Sequence, residues 1–445
     1  MQPVVTLFEH QRVSYAELGL DANASILQVL DRLNAQSKTD LIVLERTALR
    51  TTQYVGILEV PGLTLQILPK IDYEPPTGNL SIEESAIRNF LLLLLYAQDI
   101  RLHQQTLASL RTARGPWLEM MIHLFATELQ TQIQQGLHQD YQWCEDSLPY
   151  LRGRWNITRQ FSHRPNIHQG LEVTYEDYTL DTPLNRFFRW TTHTLRRLSY
   201  QPENRRLLAY LEDWLLPVHL PPHLSVYEVE RIGFNRLNER FRPAYELALL
   251  YLKGLTEQLL PGTQRLLAFV FDMNRLFEAF VTNLILKHQQ YLLPPAWQNT
   301  KIYVQGGPTI HHLAKVESSG SPLFRLKPDI IIGDLVQPLL IIDTKNKVLS
   351  GSNYAAGVEE EDIYQMVTYA LHFRCPHVLL LYPRPKGENN VIPPVSLQIE
   401  GQDIRVFVAT LDLHQPLDPI DPILRDMRKI FDYFATIERR PQEVY

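Results

Sequence analysis

Two short apolar runs, Ile330 to Ile332 and Leu339 to Ile342, are separated by Gly333-Asp334 and by Pro338, a pattern that predicts a β-hairpin. Gly357 to Phe373 follows with helical spacing and acidic first turns, which suit the positive end of the helix dipole. A further apolar strand, His377 to Tyr382, comes next, and upstream Asp272 to Lys287 has the pattern of an amphipathic helix. Ile404 to Leu411 and Asp421 to Ile437 add a strand and a closing helix, which cover the edge of the sheet. The N-terminal part reads differently. Val4 to Phe8, Leu41 to Arg46, Tyr54 to Val60 and Leu63 to Leu68 are strand candidates, Pro61-Gly62 is a turn, and Ser25 to Asn34 has helical spacing.

Between these ends the pattern is mostly helical. Ser81-x-x-Glu84 resembles a capping box opening the helix that holds Phe90 to Tyr96, and Trp117 to Gly136, Arg186 to Leu198 and Asn238 to Gly254 continue in the same period. Tyr73 to Asn79 is a linker by composition, Pro217 to His223 reads as a hinge, and Leu260-Pro261-Gly262 marks a second break. The prediction is an α+β multidomain chain: a β-rich docking module over 1–75, a mainly helical region over 76–261, and an α/β domain with a mixed sheet over 262–445.

Composition narrows the class. At 445 residues, with 45% hydrophobic and 21% charged residues, the chain is an ordinary globular one with room for several cores. Cys144 and Cys375 lie far apart without metal-ligand spacing, and the N-terminus lacks a signal-peptide pattern, so a cytoplasmic protein is expected. Phe90 to Tyr96 falls far short of the roughly 20 apolar residues needed to cross a bilayer, and no membrane role is expected. A net charge of -6 gives no global attraction for nucleic acid, so any DNA contact must come from local clusters or a partner.

The hairpin carries the chemistry. Asp329 follows Pro328 where the first strand begins, and Asp343 ends the second apolar run. Strand alternation puts Asp343 and Lys345 on one face and turns Thr344 away. Two carboxylates converging with one ammonium suit a hard divalent cation and a polarised water, which is the equipment of metal-assisted phosphodiester hydrolysis. Gln365 and Tyr369, four apart on the next helix, share a face, and Glu278 stands on the preceding helix. Elsewhere, Arg152, Arg154 and Arg159 surround Gly153 and Trp155, a mixture that serves equally for gripping phosphates and stacking a base or for a basic edge that docks to protein. The pair His219/His223 sits in a loop with no third ligand nearby, and His311-His312 lies outside the carboxylate constellation and is expected in a strand or turn.

Pro328-Asp329, then Asp343-Thr344-Lys345, resembles the motif of PD-(D/E)XK nucleases, and Gln365-x-x-x-Tyr369 resembles the motif that follows it in their RecB-like branch. Leu68-Pro69-Lys70-Ile71, Leu151-Arg152-Gly153-Arg154, Thr182-Pro183-Leu184-Asn185-Arg186 and Met273-Asn274-Arg275-Leu276-Phe277-Glu278 extend the resemblance over most of the chain to the McrC family, the nuclease subunits of McrBC modification-dependent restriction systems. The resemblance implies a C-terminal PD-(D/E)XK core and an endodeoxyribonuclease acting on DNA modified in the manner of 5-methylcytosine. It implies Mg²⁺, with Mn²⁺ as an alternative, held by Asp329, Asp343 and the Thr344 carbonyl, with Lys345, Glu278 and Gln365 catalytic. Tyr369 joins Arg152, Arg154 and Arg159 as DNA-contact candidates. It also implies a partner, an McrB-like AAA+ NTPase hexamer using GTP or ATP, which the N-terminal module would meet. No G-x-x-x-x-G-K-[ST] segment occurs, so this chain is expected to bind no nucleotide itself. The rival readings are a stand-alone RecB-like repair nuclease and an inactive platform that only activates the motor.

Overall fold

A computed structural model describes residues 4–20, 25–37, 40–70, 82–112, 115–163, 170–260, 264–347, 349, 357–384, 395–415 and 417–438. The Tyr73 to Asn79 linker, Ser81 of the expected capping box, the Pro261-Gly262 break and hence both expected domain boundaries lie outside these residues. The chain forms two units, one from 1–101 with 257–445 and one from 102–256.

The first unit holds two large sheets. In the first, Val4–Phe8, Leu63–Leu68 and Tyr54–Val60 are joined by Gln264–Asp272 and Leu255–Leu260. Its apolar face shares a core with the three-stranded sheet of Arg12–Ser14, Ala48–Thr51 and Ile42–Leu44 and with the helix Ser25–Ser37. Leu30, Leu49, Leu58 and Leu65 are buried there. The contribution of Gln264–Asp272 was not legible in sequence, because it pairs antiparallel with Tyr54–Val60 from more than two hundred positions away. Pairing at that distance leaves no local signature.

Gly56 permits the pairing. Its φ is +149°, and a Cβ there would stand 2.1 Å from the Phe269 carbonyl oxygen. The strand delivers Asp272, whose side chain accepts the Asn274 N–H and caps the helix Met273–Lys287, while the Met273 N–H donates to the Gln53 carbonyl. That helix packs on Ile82–Ala97 through Tyr96 against Phe280, and Asn283 Nδ2 donates to the Ala97 carbonyl at 2.8 Å.

The second sheet has six strands in the order Ile302–Val304, Ile330–Gly333, Pro338–Thr344, His377–Pro383, Arg405–Leu411, Val395–Gln398. It is mixed, as expected: Pro338–Thr344, His377–Pro383 and Arg405–Leu411 run parallel, and the other three pairings are antiparallel. The predicted hairpin is present, with Ile330 opposite Ile342 and Ile332 opposite Leu340. Its strands read as continuous apolar runs because both faces are covered. Glu360–Phe373 packs Met366, Tyr369 and Phe373 with Ile331, Ile341 and Leu380 on one side, and on the other Phe407 meets Phe434 of Asp421–Glu438 edge to face.

In the second unit, Trp117–Ile133, Pro183–Leu198, Pro202–Trp214 and Arg242–Gly254 bury Trp117, Phe125, Phe187, Phe188, Phe241 and Tyr251. Thr182 caps the second of these, accepting the Asn185 N–H. The Pro217 to His223 stretch belongs to this unit, with Val218 buried and the His219 N–H donating to Asp181. Beside these helices the region holds a sheet: Asp140–Leu148, Leu171–Thr179 and Arg154–Trp155 form three antiparallel strands. Its alternation escaped notice because the outward face carries Tyr141, Trp143 and Tyr178 while the inward face of Asp140–Leu148 carries Gln142 and Cys144, the reverse of the usual polarity. Among the described residues no helix is long and apolar enough to cross a membrane.

Candidate active site

The hairpin ends where its two strands leave the sheet, and there the acids meet. Asp329 precedes the first strand, held by the Gln305 N–H on its own carbonyl at 2.8 Å. Its Oδ2 accepts two hydrogen bonds from Thr344, one from the backbone N–H and one from the hydroxyl, both at 2.7 Å. Thr344 was expected to point away from the site; its hydroxyl instead fixes one of the two acids. Alternation holds for the other pair, since Lys345 Nζ lies 2.7 Å from Asp343 Oδ2. The ammonium also donates to Gln365 Oε1 at 2.7 Å, and Gln365 Nε2 donates to the Tyr369 hydroxyl at 2.9 Å. The i,i+4 spacing on Glu360–Phe373 thus gives one continuous chain, Asp343 to Lys345 to Gln365 to Tyr369.

Electrostatics single out the same point. Asp343 is 3% exposed, and burial followed by the neighbouring Asp329 pushes its carboxyl up to about 7. Burial raises Asp329 as well, against the opposing pull of its Thr344 bonds. Glu278, on Met273–Lys287, accepts from Gln305 Nε2 at 3.2 Å and is raised by burial and by Asp329. Tyr369, only 4% exposed, is pushed up to about 12 by burial and the Asp343 charge. Asp329 thus raises both Asp343 and Glu278, and acids that repel in this way favour an added cation.

The donor set fits a hard ion. Among the described residues no cluster of three or more His, Cys, Asp or Glu side chains is disposed to hold a metal by protein ligands alone. Two oxygen donors, with water and substrate phosphate supplying the rest, is the usual provision for Mg²⁺.

Asp362 was missed. It reads in sequence as one of several acids suited to a helix N-terminus, yet it is buried, accepts the Tyr382 hydroxyl at 3.0 Å, and lies 3.8 Å from Lys345 Nζ and 3.5 Å from Lys347 Nζ. Tyr382 comes from the strand His377–Pro383. The pairing is tertiary, so no spacing announces it.

Arg152, Arg154 and Arg159 belong to the second unit. Arg152 Nη2 donates to Asp177 at 2.6 Å and its guanidinium lies 3.9 Å from the centre of the Tyr175 ring. Arg159 pairs with Glu145 and Glu172. Arg154 lines a cavity of about 800 Å³ with Trp143, Trp155 and Tyr175.

One further acid touches the exit of the strand Pro338–Thr344. Glu9 accepts the Lys70 N–H at 3.0 Å and the Asn346 side-chain amide at 3.4 Å, and burial pushes its carboxyl up from 4.5 to about 7. A carboxyl raised in the fold contributes stability that is fully present below 4.5 and is lost as pH rises through about 7. Glu9→Gln keeps an acceptor for Lys70 and removes the buried charge. The variant is expected to match wild type near pH 4 and to exceed it by on the order of 2 kcal/mol at pH 9. Melting curves in EDTA at both pH values check this, and an equal difference at the two would refute it.

Residues 49–383 match the McrBC 5-methylcytosine restriction system component family. Among solved structures, the chain is similar to a chain of the refined half-complex from the tetradecameric assembly of Thermococcus gammatolerans McrB AAA+ hexamers with bound McrC. That likeness has 21% identity, covers 97% of this chain and 100% of that one, and has a TM-score of 0.68, which speaks to the fold. A second similar chain is from the cryo-EM structure of the Thermococcus gammatolerans McrBC complex, at 28% identity over 64% of this chain and 88% of that one, with a TM-score of 0.49. No curated protein matches.

Proposed function

Because the chain belongs to the McrBC 5-methylcytosine restriction system component family, we propose that it is the subunit that cuts DNA, a Mg²⁺-dependent endonuclease working with an AAA+ motor. The observation that carries this reading is the unbroken chain Asp343, Lys345, Gln365, Tyr369 beside the Thr344-held Asp329. A buried acid raised by a second one beside it, with an ammonium 2.7 Å away, is the arrangement functional sites use.

Asp329, Asp343 and the Thr344 carbonyl would hold the ion, which, when bound, neutralises charge building on the scissile phosphate. Thr344 keeps Asp329 aimed by gripping one oxygen and leaving the other free for the ion. Lys345 Nζ orients the attacking water. Gln365 and Asp343 each accept a hydrogen bond from the ammonium and so fix where its third N–H faces, toward the water; Tyr369 fixes Gln365 in turn. Asp362, behind the ammonium, opposes its release toward solvent. Hydrolysis forms one P–O bond to water and breaks the bond to the 3′ oxygen, leaving a 5′-phosphate and a 3′-hydroxyl. Glu278, beside Asp329, adds a third acid at the margin.

The partner is carried over from the Thermococcus gammatolerans assembly, in which McrC is bound to McrB AAA+ hexamers. The test is cleavage of methylated and unmethylated plasmid in Mg²⁺, with and without an McrB-like AAA+ protein and GTP or ATP. The expected result is cleavage of methylated plasmid only with partner and nucleotide. Cutting by the chain alone would point to a stand-alone repair nuclease, and nucleotide hydrolysis stimulated without any cutting to an inactive platform.

A further inference from the structure

His311–Lys315 and Pro322–Leu326 form a two-stranded antiparallel sheet of their own, with His312 opposite Arg325 and Lys315 opposite Pro322. A ribbon of two strands is marginal by itself in water, and this one is held only at its base. Leu326 is buried in the core beneath Glu360–Phe373. His311 meets the Phe373 ring edge to face at 4.8 Å and hydrogen-bonds His372 at 3.3 Å. Beyond that anchor the ribbon stands in solvent, with Ile310, Leu313, Leu323 and Phe324 all exposed. Phe324 is the extreme case, 69% exposed at φ +57°, an outlier for a bulky side chain. Backbone strain of this kind clusters at functional sites, and exposed apolar patches mark surfaces that bind.

Both ends of this segment are tied to the carboxylates. At its start the Gln305 N–H donates to the Asp329 carbonyl at 2.8 Å, and the Gln305 side-chain amide donates to Glu278 at 3.2 Å. At its end Leu326, Lys327 and Pro328 lead directly into Asp329. Consecutive Cα atoms are about 3.8 Å apart, so Arg325, four residues before Asp329, has its Cα within about 15 Å of that residue's. Charges along one strand of a duplex are spaced about 3.4 Å apart, so the base of the ribbon lies within about four nucleotides of a phosphate held at the acids. The charge of the segment agrees with such a neighbour. Between Ile310 and Lys327 stand Lys315, Arg325 and Lys327 against Glu317 alone, an excess of two positive charges with both imidazoles neutral, in a chain whose net charge is -6. All four are exposed, and among the described residues neither Lys315 nor Arg325 is ion-paired.

We propose that this ribbon is a DNA-binding arm that enters the major groove beside the scissile phosphate, with Lys315 and Arg325 on backbone phosphates and Phe324 against the base edges. The proposal rests on the nuclease reading for its choice of polymer. Two strands about 4.8 Å apart fit a groove about 12 Å wide, and five residues in each strand reach about 17 Å. Arg325 supplies a planar donor fork suited to phosphate oxygens and Lys315 a point charge. Phe324 supplies an apolar surface for the pyrimidine edge of the groove, where thymine carries its methyl group. The strained backbone then holds that ring outward before DNA arrives, so no ordering is required of it on binding.

The experiment is fluorescence anisotropy of a labelled duplex with the full chain in EDTA across a KCl series. Lys315→Ala, Arg325→Ala and Phe324→Ala are compared with wild type and with Lys315→Arg. Each phosphate contact removed makes the plot of log affinity against log salt shallower by about 0.9, which at 0.1 M KCl is roughly an eightfold loss. Lys315→Ala and Arg325→Ala are expected to show both changes, and Lys315→Arg neither. Phe324→Ala removes a base contact and no charge, so it is expected to bind about fivefold or more weakly with the slope of wild type. All these side chains are exposed, so melting temperatures should match wild type. Wild-type affinity and slope in all three alanine variants overturn the arm, as does wild-type chain that binds no duplex. Shallower slopes with no loss in Phe324→Ala overturn its entry into the groove. Sedimentation velocity is read beside the titrations: self-association lost in Phe324→Ala, with DNA binding unchanged, assigns the ribbon to a second copy of this chain instead. Plasmid cleavage by wild type is measured separately, so cutting with unchanged binding in the variants removes the arm alone, and weakened binding in the variants without cutting by wild type removes the nuclease reading alone.

Discussion

On the proposed nuclease reading, Asp343→Asn is expected to lower plasmid cleavage by a factor of about 10³ or more while leaving the chain folded. A thousandfold loss corresponds to about 4 kcal/mol of transition-state stabilisation at 1.36 kcal/mol per decade. Asparagine keeps the volume of the side chain, so the loss reads the charge. Asp343 is buried to 3% exposure with Lys345 at 2.7 Å, and among the described residues no other acid reaches that ammonium as closely, Asp362 being 3.8 Å away. The substitution therefore removes a proposed metal donor and the acid nearest to Lys345 in one step. Stability should not suffer in the same measure. Burial and Asp329 already push the Asp343 carboxyl up to about 7, so its ionised form is costly to the apo fold at pH 8. Single-turnover cleavage with partner, nucleotide and Mg²⁺, beside a melting curve, makes the comparison. Activity within tenfold of wild type would remove the proposed site.

The parts of this site that were legible in sequence are those whose geometry is set by local periodicity. Asp343 and Lys345 share a face because strands alternate, and Gln365 and Tyr369 share one because four residues make about one helical turn. The hairpin itself follows from two apolar runs about a Gly-Asp turn. What sequence hid was tertiary. Thr344 obeys alternation and still reaches Asp329, because Asp329 lies beyond the end of its own strand and is free to turn toward the neighbour. Asp362 sits among four consecutive acids on a helix start, and only its depth beneath Tyr382 distinguishes it. Glu9 follows the N-terminal strand Val4–Phe8, and the residue it meets, Asn346, is 337 positions away. Each of these groups takes its role from a neighbour supplied by another element.

The same distinction gives the second large effect, at a residue with no side chain. Gly56→Ala is expected to destabilise the first unit by about 4 kcal/mol, at the upper end of what single substitutions do. A Cβ at this position would stand 2.1 Å from the Phe269 carbonyl oxygen and 2.8 Å from the Val270 Cα, both backbone atoms of the paired strand, so no rotamer relieves it. The backbone at φ +149° adds strain for any L side chain. The strands must part, and the Gln264–Asp272 strand they would release carries the cap of the helix bearing Glu278 and the Met273 anchor on Gln53. The substitution should thus lower the melting temperature and cost cleavage in proportion to unfolding, with residual folded enzyme cutting at a near-normal rate per molecule. Denaturant titration gives the stability, and active-site titration at low temperature separates the two effects. A stability within about 1 kcal/mol of wild type would mean that the strands open there without penalty, and the close approach would lose its structural meaning.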